Sequence, residues 1–332
     1  MEYSFGSKHE GGNGVLNRNK LFLLTLTIIS AILIVFIYKQ FVEEKPKVTF
    51  VLRTLDNQYW RIIQAGVERG CKDFGIDGKV IAPKNGTATE QLKMLDNVLK
   101  EHPDVLVVSP AISPDIILKL DEFVKKNIPV LLIDTDEPWE NKTAYIGTNN
   151  VELGRKAGIF MASMLQPRDK VALIGRESSV EGERIKGAKA SLEAAGIKIE
   201  AETSKISVED KDQDQKVIKI LKTLFQQHPD LKGVVTSTDY LAIPVVNVLK
   251  EQGLTMPVTG ADGISKMVEL VEKGDVTGTI AQNPYDMGYL SVQAALQVTK
   301  GEKIKRNIDS GIDIITEDNA KQKLDFLNTV LK

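Results

Sequence analysis

From Lys47 onward, short runs of β-branched and aliphatic residues alternate with stretches whose apolar residues recur at i, i+3, i+4 and i+7. No other feature constrains the fold as strongly. A continuous apolar run needs cover on both faces, and an amphipathic stretch has one face with which to supply it. Parallel strands joined by right-handed helical crossovers meet both demands, which makes the class α/β. The pattern predicts strands at Val48–Leu52, Val80–Ala82, Val105–Val108, Val130–Ile133, Val171–Ile174, Gly233–Thr236, Val258–Thr259 and Val276–Ile280. Helices are predicted from Tyr59 to Phe74 and near 88–101, 113–127, 150–165, 181–195, 213–227, 239–252, 263–273 and 284–299. Pro244 falls inside one of them, so a late start or a kink is expected there.

The pattern also repeats. Leu95 opens a segment ending His102-Pro103-Asp104, and Leu221 opens one ending His228-Pro229-Asp230; an apolar strand follows each. Proline ends the helix and aspartate turns the chain into the strand. Two similar βα halves follow from this echo. It also gives both histidines a helix-end role, favourable to the dipole, in preference to catalysis. Cys71 lies on the apolar stripe Tyr59, Ile62, Ile63, Gly66, Val67, Gly70, Cys71, Phe74 and is expected in the core.

Residues 1–20 are polar, and Leu21–Tyr38 follows without a charge. Eighteen helical residues rise about 27 Å, close to the bilayer core. A cleaved signal peptide is the competing reading, but its apolar region is shorter and ends at a small-residue site that is missing after Tyr38. The run is therefore expected to be an uncleaved signal anchor, with residues 39–46 as a tether. Flanking Lys and Arg number three before and four after it, which leaves orientation undecided by charge. The whole chain carries 43 basic and 45 acidic residues, so nucleic-acid binding has no electrostatic support. One cysteine and three scattered histidines leave no obvious metal site, and neither a metal nor a cofactor is expected.

No P-loop, G-x-G-x-x-G, H-E-x-x-H or G-x-S-x-G motif occurs, so no enzyme is expected. Polar residues instead cluster at strand ends. Arg53, Asn57, Tyr59 and Trp60 follow the first strand; Asp134 and Thr135 end another; Thr238, Asp262 and Gln282 end three more; Arg184 opens a helix. A single Asp after a strand is usually a cap or turn former. The number of such residues is what argues for a site. Carboxylates accept, a guanidinium donates through its fork, and amides do both, which suits a polyol with an aromatic ring against its C–H face.

Six motifs in order resemble the type I periplasmic binding proteins of the ribose/galactose kind. They are Asn57-Gln58-Tyr59-Trp60, Val130–Asp134, Ala144–Asn150 leading to Gly154–Gly158, Gly182–Gly187, Gly260–Gly263 and Gly278–Gly288. The resemblance implies two Rossmann-like lobes of parallel sheet joined by a three-crossing hinge; the apolar run Leu21–Tyr38 adds one transmembrane helix before them. It implies one lobe from 47–148 plus 283–311 and another from 149–282 plus 312–332. It implies a sugar or polyol held between the lobes. Tyr59 and Trp60 would sandwich the ring, with hydrogen bonds from Asn57, Asp134, Arg184, Thr238, Asp262 and Gln282. Arg53, Thr135 and Thr238 depart from ribose-type residues, which argues against ribose itself. An ABC-type permease is the implied partner, with a membrane sensor kinase as the alternative. The binding domain would lie outside the cell membrane as a monomer.

Overall fold

The computed structural model describes residues 20, 22–31, 44–176, 178–206 and 213–332. The chain divides into two compact units, residues 1–45 and Pro46–Lys332. In the first unit residues 22–31 form a helix, α1, whose Phe22, Leu23, Leu24 and Ile29 are exposed. The rest of the expected anchor lies outside the described residues. Among the described residues no helix is long and apolar enough to cross a membrane.

The second unit opens with β1 (Lys47–Val51), α2 (Gln58–Phe74), β2 (Asp77–Ile81), α3 (Ala88–Glu101), β3 (Val105–Val108), α4 (Pro114–Lys125), β4 (Val130–Ile133) and β5 (Ala144–Gly147). It continues through α5 (Asn150–Ala162), β6 (Lys170–Arg176), α6 (Ser179–Ala194), β7 (Lys198–Ile206), α7 (Gln213–Gln227), β8 (Leu231–Thr236), α8 (Asp239–Glu251) and β9 (Val258–Thr259). Last come α9 (Ser265–Glu272), β10 (Gly278–Gln282), α10 (Pro284–Thr299), β11 (Asn307–Asp309), β12 (Ile312–Thr316) and α11 (Glu317–Val330).

These elements form two α/β lobes. The first is built on a six-stranded parallel sheet in the order β2-β1-β3-β4-β5-β11. The second has the parallel order β7-β6-β8-β9, and its margin carries the antiparallel pair β10-β12, bridged to it at Ala261 and Ile280. Strands β3 and β4 are fully buried, as their unbroken apolar runs require. The chain leaves the first sheet after β5, returns after β10 to pack α10 on α2, and leaves again between β11 and β12. The histidine echo is structural. His102 caps α3 in the left-handed region, at φ 50°. Asp104 then accepts from the Lys47 backbone N–H at 2.7 Å, while Asp230 pairs with Lys170 Nζ at 2.7 Å. Each aspartate thus pins the start of its lobe's first strand.

Several expectations change. Cys71 is half-buried, on the fringe of the core against β2, because α2 ends one turn later at Gly75. Burial pushes its thiol up to about 11. Helix α8 does not start late: it begins at Asp239, whose carboxylate accepts from the backbone N–H groups of Gly263 and Ile264. Those tertiary bonds fix the start, and Pro244 sits inside the helix. Strand β10 begins two residues after Val276. Strands β5, β7, β11 and β12 and helix α11 were not expected from the sequence pattern.

Candidate functional site

Both sheets place their second strand on one side of the first and their third on the other, so the connection reverses between β1 and β3 and between β6 and β8. Loops diverge at such a switch point, and a crevice opens beyond the carboxyl ends of the strands. A cavity of about 200 Å³ lies there. Its walls come from the loops after β1, β3, β4, β6, β8 and β9, together with the end of β10. All ten residues singled out in the sequence line it: Arg53, Asn57, Tyr59, Trp60, Asp134, Thr135, Arg184, Thr238, Asp262 and Gln282. A larger hollow of about 470 Å³ lies against β12 and α11 and reaches Gly263 and Asn283, the residues that follow Asp262 and Gln282.

Asp134 occupies the floor. Its φ is +66°, in the left-handed region, which aspartate tolerates better than most residues. Its backbone N–H is held by Ile146 at 2.9 Å, so the strain is fixed by the sheet. The Tyr59 hydroxyl donates to Asp134 Oδ1 at 2.6 Å and lies 3.2 Å from Gln282 Oε1. Thr135 donates to Asp134 Oδ2 at 3.0 Å. Burial holds the Asp134 carboxyl above its usual range, against the Tyr59 hydrogen bond and the positive charges of Arg184 and Arg53. Burial likewise pushes the Tyr59 hydroxyl well up.

Arg184 reaches the cavity from α6 and is buried. Its Nε donates to Asn150 at 2.9 Å and its Nη1 to the Ser237 carbonyl at 2.9 Å, with Asp262 Oδ1 at 3.4 Å. Its Nη2 has no hydrogen bond to the described residues. Asp262 is further held by Gln282 Nε2 at 2.9 Å and by the Asp239 backbone N–H at 3.1 Å. Thr238 is buried, and its hydroxyl has no hydrogen-bond partner among the described residues. Donors and acceptors therefore alternate around the wall, the arrangement a set of vicinal hydroxyls requires.

Three residues, Asn57, Tyr59 and Trp60, sit differently from the roles the resemblance implied. The Asn57 carbonyl oxygen caps α2, accepting from the Trp60 N–H at 3.3 Å, which leaves its amide N–H₂ for other contacts. The Tyr59 and Trp60 rings meet edge to face, with centroids 5.4 Å apart at 89°. No ligand ring fits between them, so the expected sandwich does not form from this pair. Tyr59 turns its hydroxyl onto the polar floor because it also belongs to the buried stripe of α2. Arg53 donates to the Pro110 carbonyl at 3.3 Å from the edge of the first lobe.

Sequence reasoning passed over Arg176, Ser178, Glu181 and Tyr240, which also line the cavity. The signal for Arg176 was its place as the last residue of an apolar strand, two residues before the serine cap of α6. Glu181 accepts from the Arg176 backbone N–H at 2.9 Å and from the Ser237 hydroxyl. Tyr240 is half-buried there, and burial holds its hydroxyl above the usual range.

The family model for the periplasmic binding protein domain matches residues 48–303. A D-allose-binding periplasmic protein of Escherichia coli (strain K12) is 28% identical over 271 residues, covering 76% of this chain and 85% of that protein. A ribose import binding protein of Bacillus subtilis (strain 168) is 24% identical over 268 residues, covering 80% and 85%. The crystal structure of a glucose-galactose binding protein from Geobacillus stearothermophilus superposes with a TM-score of 0.75 at 24% identity, covering 83% of this chain and 99% of that one.

Proposed function

The chain belongs to the periplasmic binding protein domain family, and from that premise we propose that it binds a sugar or polyol in the cavity between its lobes and delivers it to an ABC-type permease. The ring of alternating donors and acceptors around Asp134, Arg184, Thr238, Asp262 and Gln282, beside the Trp60 ring, carries this reading. Ligand hydroxyls bridge the two lobes, because Asp134 belongs to one and Arg184, Thr238 and Asp262 to the other. Lobe closure about the three crossings near residues 148, 283 and 311 is the signal that a permease recognises. Residues 21–38 anchor the chain in the cell membrane, with the binding domain outside as a monomer. Relatives named for allose and ribose support a monosaccharide as the core of the ligand. Membership of this family supports binding without turnover.

Calorimetry tests this on the full chain in a detergent without a sugar headgroup. Pentoses, hexoses, polyols and the corresponding sugar acids are titrated in turn. Saturable heat from at least one is expected. Absence of binding to all of them at millimolar concentration overturns the reading.

A further inference from the structure

Arg176 has no part in the scheme above. It closes β6 at the carboxyl end of the sheet, and its guanidinium lines the cavity on the second lobe's side. Its Nε–H is shut off from water without a hydrogen-bond partner among the described residues. Among those residues no carboxylate forms an ion pair with it, although three carboxylates line the same cavity. Each of the three is engaged elsewhere. Asp262 is held by Arg184 and Gln282, Asp134 by Tyr59 and Thr135, and Glu181 by the Arg176 backbone N–H and the Ser237 hydroxyl.

We infer that the ligand carries an anionic group, a carboxylate or a phosphate, and that Arg176 receives it; this rests on the sugar-binding reading above. An orphaned N–H in a closed wall is costly, and its neighbours leave a ligand to relieve it. Nε and one Nη of a guanidinium form a fork that matches the two oxygens of a carboxylate or phosphate. Three further observations converge on the same wall. Arg53 lines the cavity from the first lobe. The 16-residue helix α6 starts beside Arg176, and the first-turn N–H groups of Ser179 and Val180 have no acceptor within the helix. Thr238 lines the same cavity, and its buried hydroxyl, also unpartnered among the described residues, takes a ligand oxygen. Beyond Arg176 the cavity continues into a groove of about 880 Å³ that shares Ile112, Arg176, Ser178 and Val180 with it. That groove also carries Asp136, Glu137 and Glu183, so an anionic group is placed at Arg176 and no farther out.

Matched pairs of probes test the inference on the full chain in a polyoxyethylene detergent. D-galactose is compared with D-galacturonate, and D-ribose with D-ribose 5-phosphate, by calorimetry and by quenching of Trp60 fluorescence. At least one acid is expected to bind ten or more times as tightly as its neutral parent. Arg176→Gln is expected to collapse that ratio towards one while changing neutral-sugar affinity less than threefold. Arg176→Lys, which keeps the charge and loses the fork, gives an intermediate ratio and serves if the glutamine variant folds poorly. Neutral sugars binding as tightly as their acids, or an Arg176→Gln loss shared equally by both members of a pair, overturns the inference and leaves the sugar reading standing. Tight binding of inorganic phosphate or citrate with no binding of any sugar or sugar acid overturns both.

Discussion

Asp134 shows how one residue serves fold and site together. Its left-handed backbone turns the chain out of β4, and that same turn points the carboxylate at the Tyr59 hydroxyl and into the cavity. Asn tolerates the left-handed region as well as Asp does, so Asp134→Asn separates the two roles. Loss of a charged acceptor in a buried ligand contact costs about 1–3 kcal/mol, roughly 5- to 150-fold in affinity. Calorimetry is expected to show that loss, with the melting temperature nearly unchanged; an unaltered affinity would place the ligand elsewhere. A second carboxylate pair lies just beneath. Asp239 is pushed up to about 8 by burial and by the neighbouring Asp262, which burial raises to about 6. Both N–H bonds to Asp239 reach Oδ2, and Oδ1 accepts from the Thr279 hydroxyl at 3.4 Å. An unfolded chain releases these protons near its ordinary value of 3.8, while the folded pair holds them higher. Between those limits the folded state binds more protons, so stability falls as pH rises through about 6 to 8. Scanning calorimetry from weakly acidic to weakly alkaline pH should show that fall, and Asp239→Asn should flatten it; a parent protein whose melting temperature rises across the window contradicts the assignment. Residues such as Asp134, Asp262 and Gln282 were legible because a polar side chain ending an apolar strand is conspicuous. Arg176 was not, since a strand-terminal arginine is ordinarily a solvated edge residue and only the third dimension turns it inward.

At the scale of elements, helix pairs set the geometry of the cavity. A Cβ on Gly154 of α5 would lie 1.9 Å from the Arg184 carbonyl oxygen, and one on Gly187 of α6 would lie 2.1 Å from the Val151 carbonyl oxygen. The first lobe repeats the device, with Gly66 of α2 against the Tyr285 carbonyl oxygen at 2.0 Å and Gly288 of α10 against Ile63 at 2.2 Å. Backbones this close tolerate no methyl group, and backbone cannot rotate out of the way. Gly154→Ala therefore pushes α6, and Arg184 with it, off its seat. Overpacking of this kind costs about 1–3 kcal/mol, and the gain in helix propensity returns about 1. The variant is expected to melt a few degrees lower and to bind ligand more weakly. Gly182→Ala, on the same helix with open space around its Cβ, is expected to melt at or above the parent temperature. If both variants behave alike, propensity and not packing governs these positions. The helices themselves were legible because each has one apolar face. Edge strand β7, Lys198–Ile206, was not, since its charged residues reflect one solvated side and no apolar run announces it. Helix α11 escaped for a similar reason: only Ala320 and Leu327 are buried on it, too few to mark a stripe.

For the whole second unit, the question is what holds the lobes together before a ligand arrives. Gln58, at the start of α2 in the first lobe, donates from Nε2 to the Ser265 hydroxyl at 2.8 Å and accepts from the Ser265 backbone N–H at 2.8 Å. Ser265 starts α9 in the second lobe, so this reciprocal pair crosses the cleft. The Tyr59 hydroxyl at Gln282 adds to the bridge. Closure is therefore supported by the protein's own contacts, and a ligand adds to an equilibrium already biased in its favour. Gln58→Ala removes two bonds of about 0.5–1.5 kcal/mol each, so the closed form loses roughly 1–3 kcal/mol against an open one. Solution scattering is expected to show a larger radius of gyration for the ligand-free variant than for the parent, with the two converging at saturating ligand. Ligand affinity should weaken by roughly 5- to 150-fold, because part of the binding energy is spent on closing. Ser265→Ala keeps the backbone donor and loses only the hydroxyl, and is expected to give about half the effect on the free-energy scale. Equal ligand-free scattering for parent and Gln58→Ala, together with equal affinity, would mean that the lobes are held by the hinge strands alone.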